Sequence, residues 1–285
     1  MIETKGADVL IHSLKDTVQL NNGLEMPGFG LGVWKVKDGE EVIHSVRSAL
    51  NAGYTMIDTA AIYRNEAGVG EALRQSAVQR EDVFITTKVW NADQGYDTTL
   101  KAFETSTKKL GINTVDLYLI HWPTAGKYKE TWRAMEKLYK DGRVRAIGVC
   151  NFHIHHLKDL MEGAEIKPAV NQIELHPLLS QVPLRNYCYK EGIAVEAYSP
   201  LGSGGLINHP LLSEIGKKYG KTAAQVMLRW DVDSEIITIP RSTKEAHIIS
   251  NADIFDFELS PEDIDQIDTL NEDKRFGADP DNFNF

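Results

Sequence analysis

Val115-Asp116-Leu117-Tyr118-Leu119-Ile120-His121 is apolar at positions that face both sides of a strand, and it ends on a histidine. A half-solvated antiparallel strand alternates apolar and polar residues, whereas a run apolar on both faces suits a parallel strand covered by helices. Ile236-Ile237-Thr238-Ile239-Pro240 has the same character. Working outward, six more short runs rich in β-branched residues span Gly28–Val33, Thr55–Asp58, Val83–Val89, Arg145–Cys150, Ala169–Glu174 and Ala194–Ser199. Helical spacing fills the gaps. Val42, Ile43, Val46, Ala49 and Leu50 precede Gly53; Trp132, Met135, Leu138 and Tyr139 precede Gly142; Leu211, Leu212, Ile215 and Tyr219 precede Gly220. Each glycine sits where a helix C-cap belongs. Thr222 reads as the cap of the segment carrying Val226, Met227 and Trp230, and Ser260-Pro261-Glu262-Asp263 as a helix start. Eight strands with intervening helices predict an α/β protein with a (β/α)8 TIM barrel. Val18–Met26 reads as a short N-terminal hairpin turning at Asn22-Gly23. A doubly wound sheet is the runner-up, but Gly28-Phe29-Gly30-Leu31-Gly32 and Gly68-Val69-Gly70 lack the G-x-G-x-x-G spacing of a dinucleotide fingerprint.

No Pro/Gly/Ser-rich or single-charge linker divides the 285 residues, so 1–285 reads as one domain, with 1–15 a loose extension. Lys plus Arg number 31 against 41 Asp plus Glu, a formal charge of −10. That balance argues against nucleic acid or an anionic membrane as partner, and the expectation is a monomer acting on a small molecule. Two cysteines, Cys150 and Cys188, cannot build a disulfide framework, and no CxxC pair exists for structural zinc. Met1–Asp8 carries acids early and no apolar core, which does not read as a signal peptide, and no apolar run is long enough to span a bilayer. The expected location is the cytoplasm.

In a barrel the chemistry sits where strands finish. The groups at those ends are Asp58, Lys88, His121, Asn151, Gln172, Tyr198 and Arg241, spaced by roughly one strand–helix unit. One such residue alone is usually a solvated cap; seven in register are harder to dismiss. Tyr63 lies five residues past Asp58. An ordinary phenol titrates near ~10, and a buried ammonium beside it would stabilise phenolate and lower that value. Lys88 can be that cation and Asp58 its counter-charge, while His121 can donate to a bound carbonyl oxygen. The set suits proton transfer at an alcohol or carbonyl oxygen and offers no obvious nucleophile.

Asp58-Thr59-Ala60-Ala61-Ile62-Tyr63-Arg64-Asn65-Glu66, Lys88-Val89-Trp90, His121-Trp122-Pro123, Asn171-Gln172-Ile173-Glu174, Ala197-Tyr198-Ser199-Pro200-Leu201-Gly202 and Ile239-Pro240-Arg241-Ser242 together resemble the aldo-keto reductase family, over about Val18–Phe285 and in the family's order. The likeness is greatest to its short-looped microbial branch, which includes glyoxal/methylglyoxal and diketogluconate reductases. The resemblance implies an NADPH-dependent carbonyl reductase. Tyr63 would donate the proton, Lys88 and Asp58 would tune it, and His121 would orient the substrate oxygen. Tyr198 would stack on the nicotinamide, with Asn151 and Gln172 on its amide and Val33, Trp34 and Asp58 close by. Ser199, Leu201, Gly202 and Ser203 would line the pyrophosphate. Arg241, Ser242, Thr243 and His247 would meet the 2′-phosphate, with Ile239 and Asn251 completing the adenosine site. Trp34, Trp90 and Trp122 would wall the substrate pocket around His121.

Three departures qualify the transfer. Arg241 stands where the family commonly has Lys, and a guanidinium can bind phosphate bidentately. His247 replaces a usual Arg, and Ser250 a common acid, so NADP(H) is expected to be preferred over a weaker NAD(H), with reduced discrimination. The glycine-rich loop Gly202-Ser203-Gly204-Gly205-Leu206 carries no acid to latch over the pyrophosphate. A redox-sensing NADP(H)-binding module on the same fold is the alternative function. A barrel hydrolase using Glu174 and Glu196 with Asp58 is a weaker one. The remaining signals take plain readings. His153, His155 and His156 mimic a metal site, but no neighbouring acid or thiol completes it, so they read as a solvated helix start and no metal is expected. Cys150 reads as packing, and the tail Gly277–Phe285, with two aromatics, is expected to fold over the barrel mouth.

Overall fold

The structure is a computed structural model that describes residues 11–285. The reading of Met1–Asp8 therefore lies outside the described residues. Of the stretch 1–15, Ile11 is buried and packs beneath Gly28, where a Cβ would meet its side chain at 2.4 Å.

The chain opens with an antiparallel hairpin, β1 (Thr17–Gln19) and β2 (Glu25–Pro27), in which Val18 faces Met26. Its turn is one residue longer than Asn22-Gly23 suggested. The Leu20 N–H donates to the Leu24 carbonyl at 2.9 Å, and Gly23 takes a φ of +82° that a side chain would resist. Leu20 and Met26 share one apolar cluster with Met56, Phe84, Ala169 and Ile237, residues at or next to the starts of parallel strands. The hairpin thus plugs the N-terminal end of the sheet and leaves the opposite end open.

Eight parallel strands follow in consecutive order: β3 (Leu31–Gly32), β4 (Met56–Asp58), β5 (Phe84–Val89), β6 (Val115–Ile120), β7 (Val144–Cys150), β8 (Val170–Glu174), β9 (Ala194–Tyr198) and β10 (Ile237–Thr238). Phe29 bridges to Thr238, and the Gly30 N–H donates to the Thr238 carbonyl at 3.0 Å, so the last strand returns to the first. Consecutive order with joined ends is a barrel, and it rules out the doubly wound alternative. Every residue of β6 is buried, as two-sided apolarity requires. Its one acid, Asp116, is held at the closed end by Arg80 (2.6 Å), Arg145 (2.8 Å) and the Ile85 N–H (2.9 Å).

Among the described residues ten α-helices wrap the barrel, and the ends of several follow the expected signals. Helix α1 (Glu40–Asn51) stops before Gly53, α4 (Tyr128–Lys140) before Gly142, and α7 (Pro210–Tyr219) at Gly220 with φ +68°. Thr222 and Gln225 bond reciprocally at the start of α8 (Ala223–Asp233), and Ser260 accepts from the Asp263 N–H at the start of α10 (Pro261–Asp268). Among the described residues no helix is long and apolar enough to cross a membrane.

Candidate active site

The open end collects the polar residues. Asp58 closes β4, where its backbone pairs with Gly32 and Thr86; Lys88 lies near the end of β5; His121 follows β6 directly. Tyr63 ends a single 3-10 turn, Ala61–Tyr63, that Arg64 terminates in a left-handed conformation. Asn65 fixes this turn. Its amide donates to the Val33 and Val36 carbonyls at 2.9 Å, and its oxygen accepts from Thr59 Oγ1 at 2.7 Å. Asn65 is fully buried, and its positioning work was not visible in its spacing.

Lys88 is completely buried and its three ammonium protons meet three acceptors: Asp58 Oδ1 at 2.6 Å, the Thr59 carbonyl at 3.0 Å and the Tyr63 hydroxyl at 3.5 Å. Burial alone would push the Lys88 ammonium down, but the Asp58 carboxylate, together with the neighbouring Tyr63 and Cys150 groups, outweighs it and holds the amine above its usual range. Burial in turn raises Asp58, and Lys88 pulls it back. The expectation for Tyr63 needs correction. Lys88 does lower the phenol, but burial of the hydroxyl is the larger effect, and Tyr63 sits above its ordinary value. The phenol is thus held protonated, with the cation reducing the cost of its ionisation rather than reversing it.

His121 is buried, its ring edge-on to Tyr63 at 5.7 Å and to Trp90 at 5.3 Å. Burial, assisted by Lys88, holds the imidazole well below its usual range and therefore neutral. Its Nδ1 has no hydrogen-bond partner among the described residues. The Gln172 amide nitrogen donates to Asp58 Oδ2 at 2.9 Å and to Glu196 Oε2 at 2.7 Å, and its amide oxygen receives the Cys150 thiol at 3.7 Å. Burial and Asp58 push the Glu196 carboxyl up to about 8. Asn151, at φ +64°, donates to the His121 carbonyl at 3.0 Å and accepts from the Tyr198 hydroxyl at 2.7 Å, which ties β7, β9 and the His121 loop together. Burial raises the Cys150 thiol, consistent with packing.

The remaining expected positions fall around the same rim. Val33 is buried, while Trp34 is 45% exposed beneath Lys35 Nζ. Ser199 (φ +52°) and Ser203 (φ +53°) are left-handed, and Leu201 leads into the turn Gly202–Gly204. A Cβ on Gly202 would come within 3.0 Å of Phe276, so glycine there lets the C-terminal tail lie against the loop. Ile239 is buried; Arg241 is exposed, with one long bond to the Lys35 carbonyl at 3.4 Å. Ser242 and Thr243 precede helix α9 (Glu245–Ala252), which carries exposed His247 and buried Asn251.

The tail does cross the mouth. Glu174 receives the Phe276 and Gly277 N–H groups at 2.6 and 3.0 Å and bonds His176 at 3.0 Å. Farther along, Phe285 stacks on Trp90 (5.9 Å, 6°) and stands edge-on to Trp122, which also meets Phe283 at 5.0 Å. The hydrolase alternative fails on these bonds, because Glu174 is committed to the tail and Glu196 to Gln172. The tail also corrects the reading of the histidine cluster. Asp281, 128 residues from His153, supplies the acid that the local sequence lacks.

A model of the aldo/keto reductase family matches residues 28–272. The chain belongs to the aldo/keto reductase family. It is 59% identical over 273 residues to a glyoxal reductase of Bacillus subtilis, covering 96% of this chain and 99% of that one. It is 44% identical to the methylglyoxal reductase DkgA of Escherichia coli K12, covering 93% and 97%. Among solved structures, the mutant Gox0644 in complex with NADPH superposes with a TM-score of 0.90 at 40% identity, covering 94% of this chain and 98% of that one. The microbial glyoxal/methylglyoxal branch named from the motifs is the branch these relatives represent.

Proposed function

We propose that this aldo/keto reductase reduces small aldehydes and α-dicarbonyls of the methylglyoxal kind to alcohols, using NADP(H). The observation that carries the reading is the Lys88 ammonium, shared between Asp58 and the Tyr63 hydroxyl under a mouth walled by Trp90 and Trp122.

The donor set fits the cofactor. Arg241 holds its guanidinium exposed at the barrel rim, next to the start of α9, where first-turn amides also favour an anion. His247 is exposed on the same helix and lacks the permanent charge and forked donors of an arginine, so NAD(H) is expected as a weaker alternative. When bound, the cofactor supplies a hydride to the carbonyl carbon. The chain's own part is to give the oxygen a proton. Tyr63 donates it, His121 directs a neutral imidazole at the same oxygen, and Lys88 stabilises the tyrosinate left behind. Asp58 keeps that lysine charged and fixed. Tyr198, Asn151 and Gln172 would face the nicotinamide, with Ser199, Leu201, Gly202 and Ser203 along the pyrophosphate and Ser242, Thr243 and Asn251 toward the adenosine. The aromatic wall limits water and favours small carbonyls with few polar groups.

Two free, buried cysteines and a charge of −10 support a cytoplasmic monomer acting through one catalytic domain. The test is a spectrophotometric panel: NADPH oxidation with methylglyoxal, glyoxal, simple aldehydes and a sugar ketone. The proposal expects efficient turnover of the first two. Efficient reduction of the sugar ketone alone would overturn the substrate class, and cofactor binding with no turnover across the panel would favour the sensing module.

A further inference from the structure

His153, His155 and His156 stand at the start of helix α5 (Ile154–Met161), and the C-terminal tail brings Asp281 against all three. One ligand atom from each of the four lies within 4.8 Å of the others. The carboxylate oxygens sit 2.9 Å from His153 Nδ1, 3.0 Å from His155 Nε2 and 3.4 Å from His156 Nε2. A tetrahedral zinc ion with bonds of about 2.0–2.2 Å separates its ligand atoms by about 3.4 Å, so small side-chain shifts bring these atoms to its coordination distances. We propose that these four residues form a binding site for a divalent transition-metal ion of the Zn²⁺ class, which fastens the C-terminal tail to α5.

The ligand chemistry selects the ion. Three imidazoles and one carboxylate suit Zn²⁺, Co²⁺ or Ni²⁺ and offer too few oxygens for Ca²⁺ or Mg²⁺. Two contacts oppose the ion and set its strength. Arg275 Nη2 lies 3.1 Å from His153 Nε2, and the His153 N–H donates to His156 Nδ1 at 3.1 Å. Both place the ring protons of His153 and His156 on the side facing Asp281, so an ion must displace them, and the Arg275 charge must move aside. Gln181 Oε1, at 3.4 Å, is a second acceptor for Arg275. His155 meets neither obstacle. The site is therefore weaker than a structural zinc centre, and removing the Arg275 charge strengthens it.

The position gives the ion a consequence. Asp281 lies in a turn closed by the Asn282 N–H on the Asp279 carbonyl at 2.9 Å, two residues before Phe283. Fixing Asp281 fixes the segment that lays Phe283 and Phe285 on Trp122 and Trp90.

The experiment uses the full chain without a histidine tag, stripped of metal and titrated with ZnCl2 by calorimetry, with Co²⁺ absorption as a second reading. The expected result is one ion per chain, tetrahedral Co²⁺ bands, at least a tenfold weaker Kd in Asp281→Asn and His155→Ala, and a tighter Kd in Arg275→Ala. His155 and Asp281 are surface groups, and unchanged circular dichroism and NADPH binding verify that those variants fold. The absence of saturable binding up to about 1 mM ZnCl2, or binding that Asp281→Asn leaves unchanged, overturns the proposal.

Discussion

The Lys88 ammonium lies 3.5 Å from the Tyr63 hydroxyl while bonding Asp58 at 2.6 Å, so one buried cation serves both a carboxylate and a phenol. Lys88→Met leaves the Asp58 charge uncompensated in the barrel. The expected loss is about 3–5 kcal/mol of stability, together with a roughly 10²–10⁴-fold fall in kcat. Adding Asp58→Asn should restore much of the stability and none of the turnover. Denaturant titration and steady-state rates on the two variants check this.

The directions of the pKa shifts fix the pH profile. His121 works neutral and is held well below its usual range, so protonation removes it only in acid; Tyr63 works protonated and is raised, so ionisation removes it only in strong base. The kcat/KM for reduction should show no break near ~6.5 and no fall before ~10. An acid limb centred near the ordinary imidazole value would contradict the neutral role given to His121.

Glu196 carries a different pH signature. Its carboxyl is raised from 4.5 to about 8 in the fold, so the protonated form is favoured there. Its contribution to stability is intact below the unfolded value and is lost as pH rises through about 8. Glu196→Gln keeps an acceptor for Gln172 and cannot ionise. The variant should match the wild type near pH 5 and exceed it by a few kcal/mol (roughly) near pH 9. Unfolding curves at the two pH values decide it, and an equal difference at both would refute the assignment.

Arg241 is the cation proposed to read the 2′-phosphate. Charged hydrogen bonds contribute about 1.5–3 kcal/mol, so Arg241→Ala should raise the KM for NADPH roughly 10–100-fold and hardly change that for NADH. Parallel loss with both cofactors would place Arg241 in a general structural role.

Much of this was legible in the chain. Two-sided apolarity in Val115–Ile120 announced a covered parallel strand, and β6 is buried throughout. The spacing of Asp58, Lys88 and His121 placed them at successive strand ends because one strand–helix unit has a nearly fixed length. The sign of the Tyr63 shift was not legible, since it depends on whether desolvation or the Lys88 charge is larger, and that balance is set by depth. The Asp281–histidine cluster was missed for another reason. Asp281 is 128 residues from His153, and the tail's contacts, among them the Glu174 anchor, bring them together. The two bonds that Gln172 gives to Asp58 and Glu196 were likewise not legible, because they join strands 114 and 24 residues apart in sequence.

The central claim is that the Tyr63 hydroxyl delivers the proton to the reduced carbonyl oxygen. Single-turnover NADPH oxidation by methylglyoxal in Tyr63→Phe tests it most directly, alongside a fluorescence titration of NADPH binding. The account predicts a rate lower by roughly 10²–10⁴-fold with cofactor affinity within about twofold of wild type. A Tyr63→Phe protein that turns over at close to the wild-type rate would contradict it.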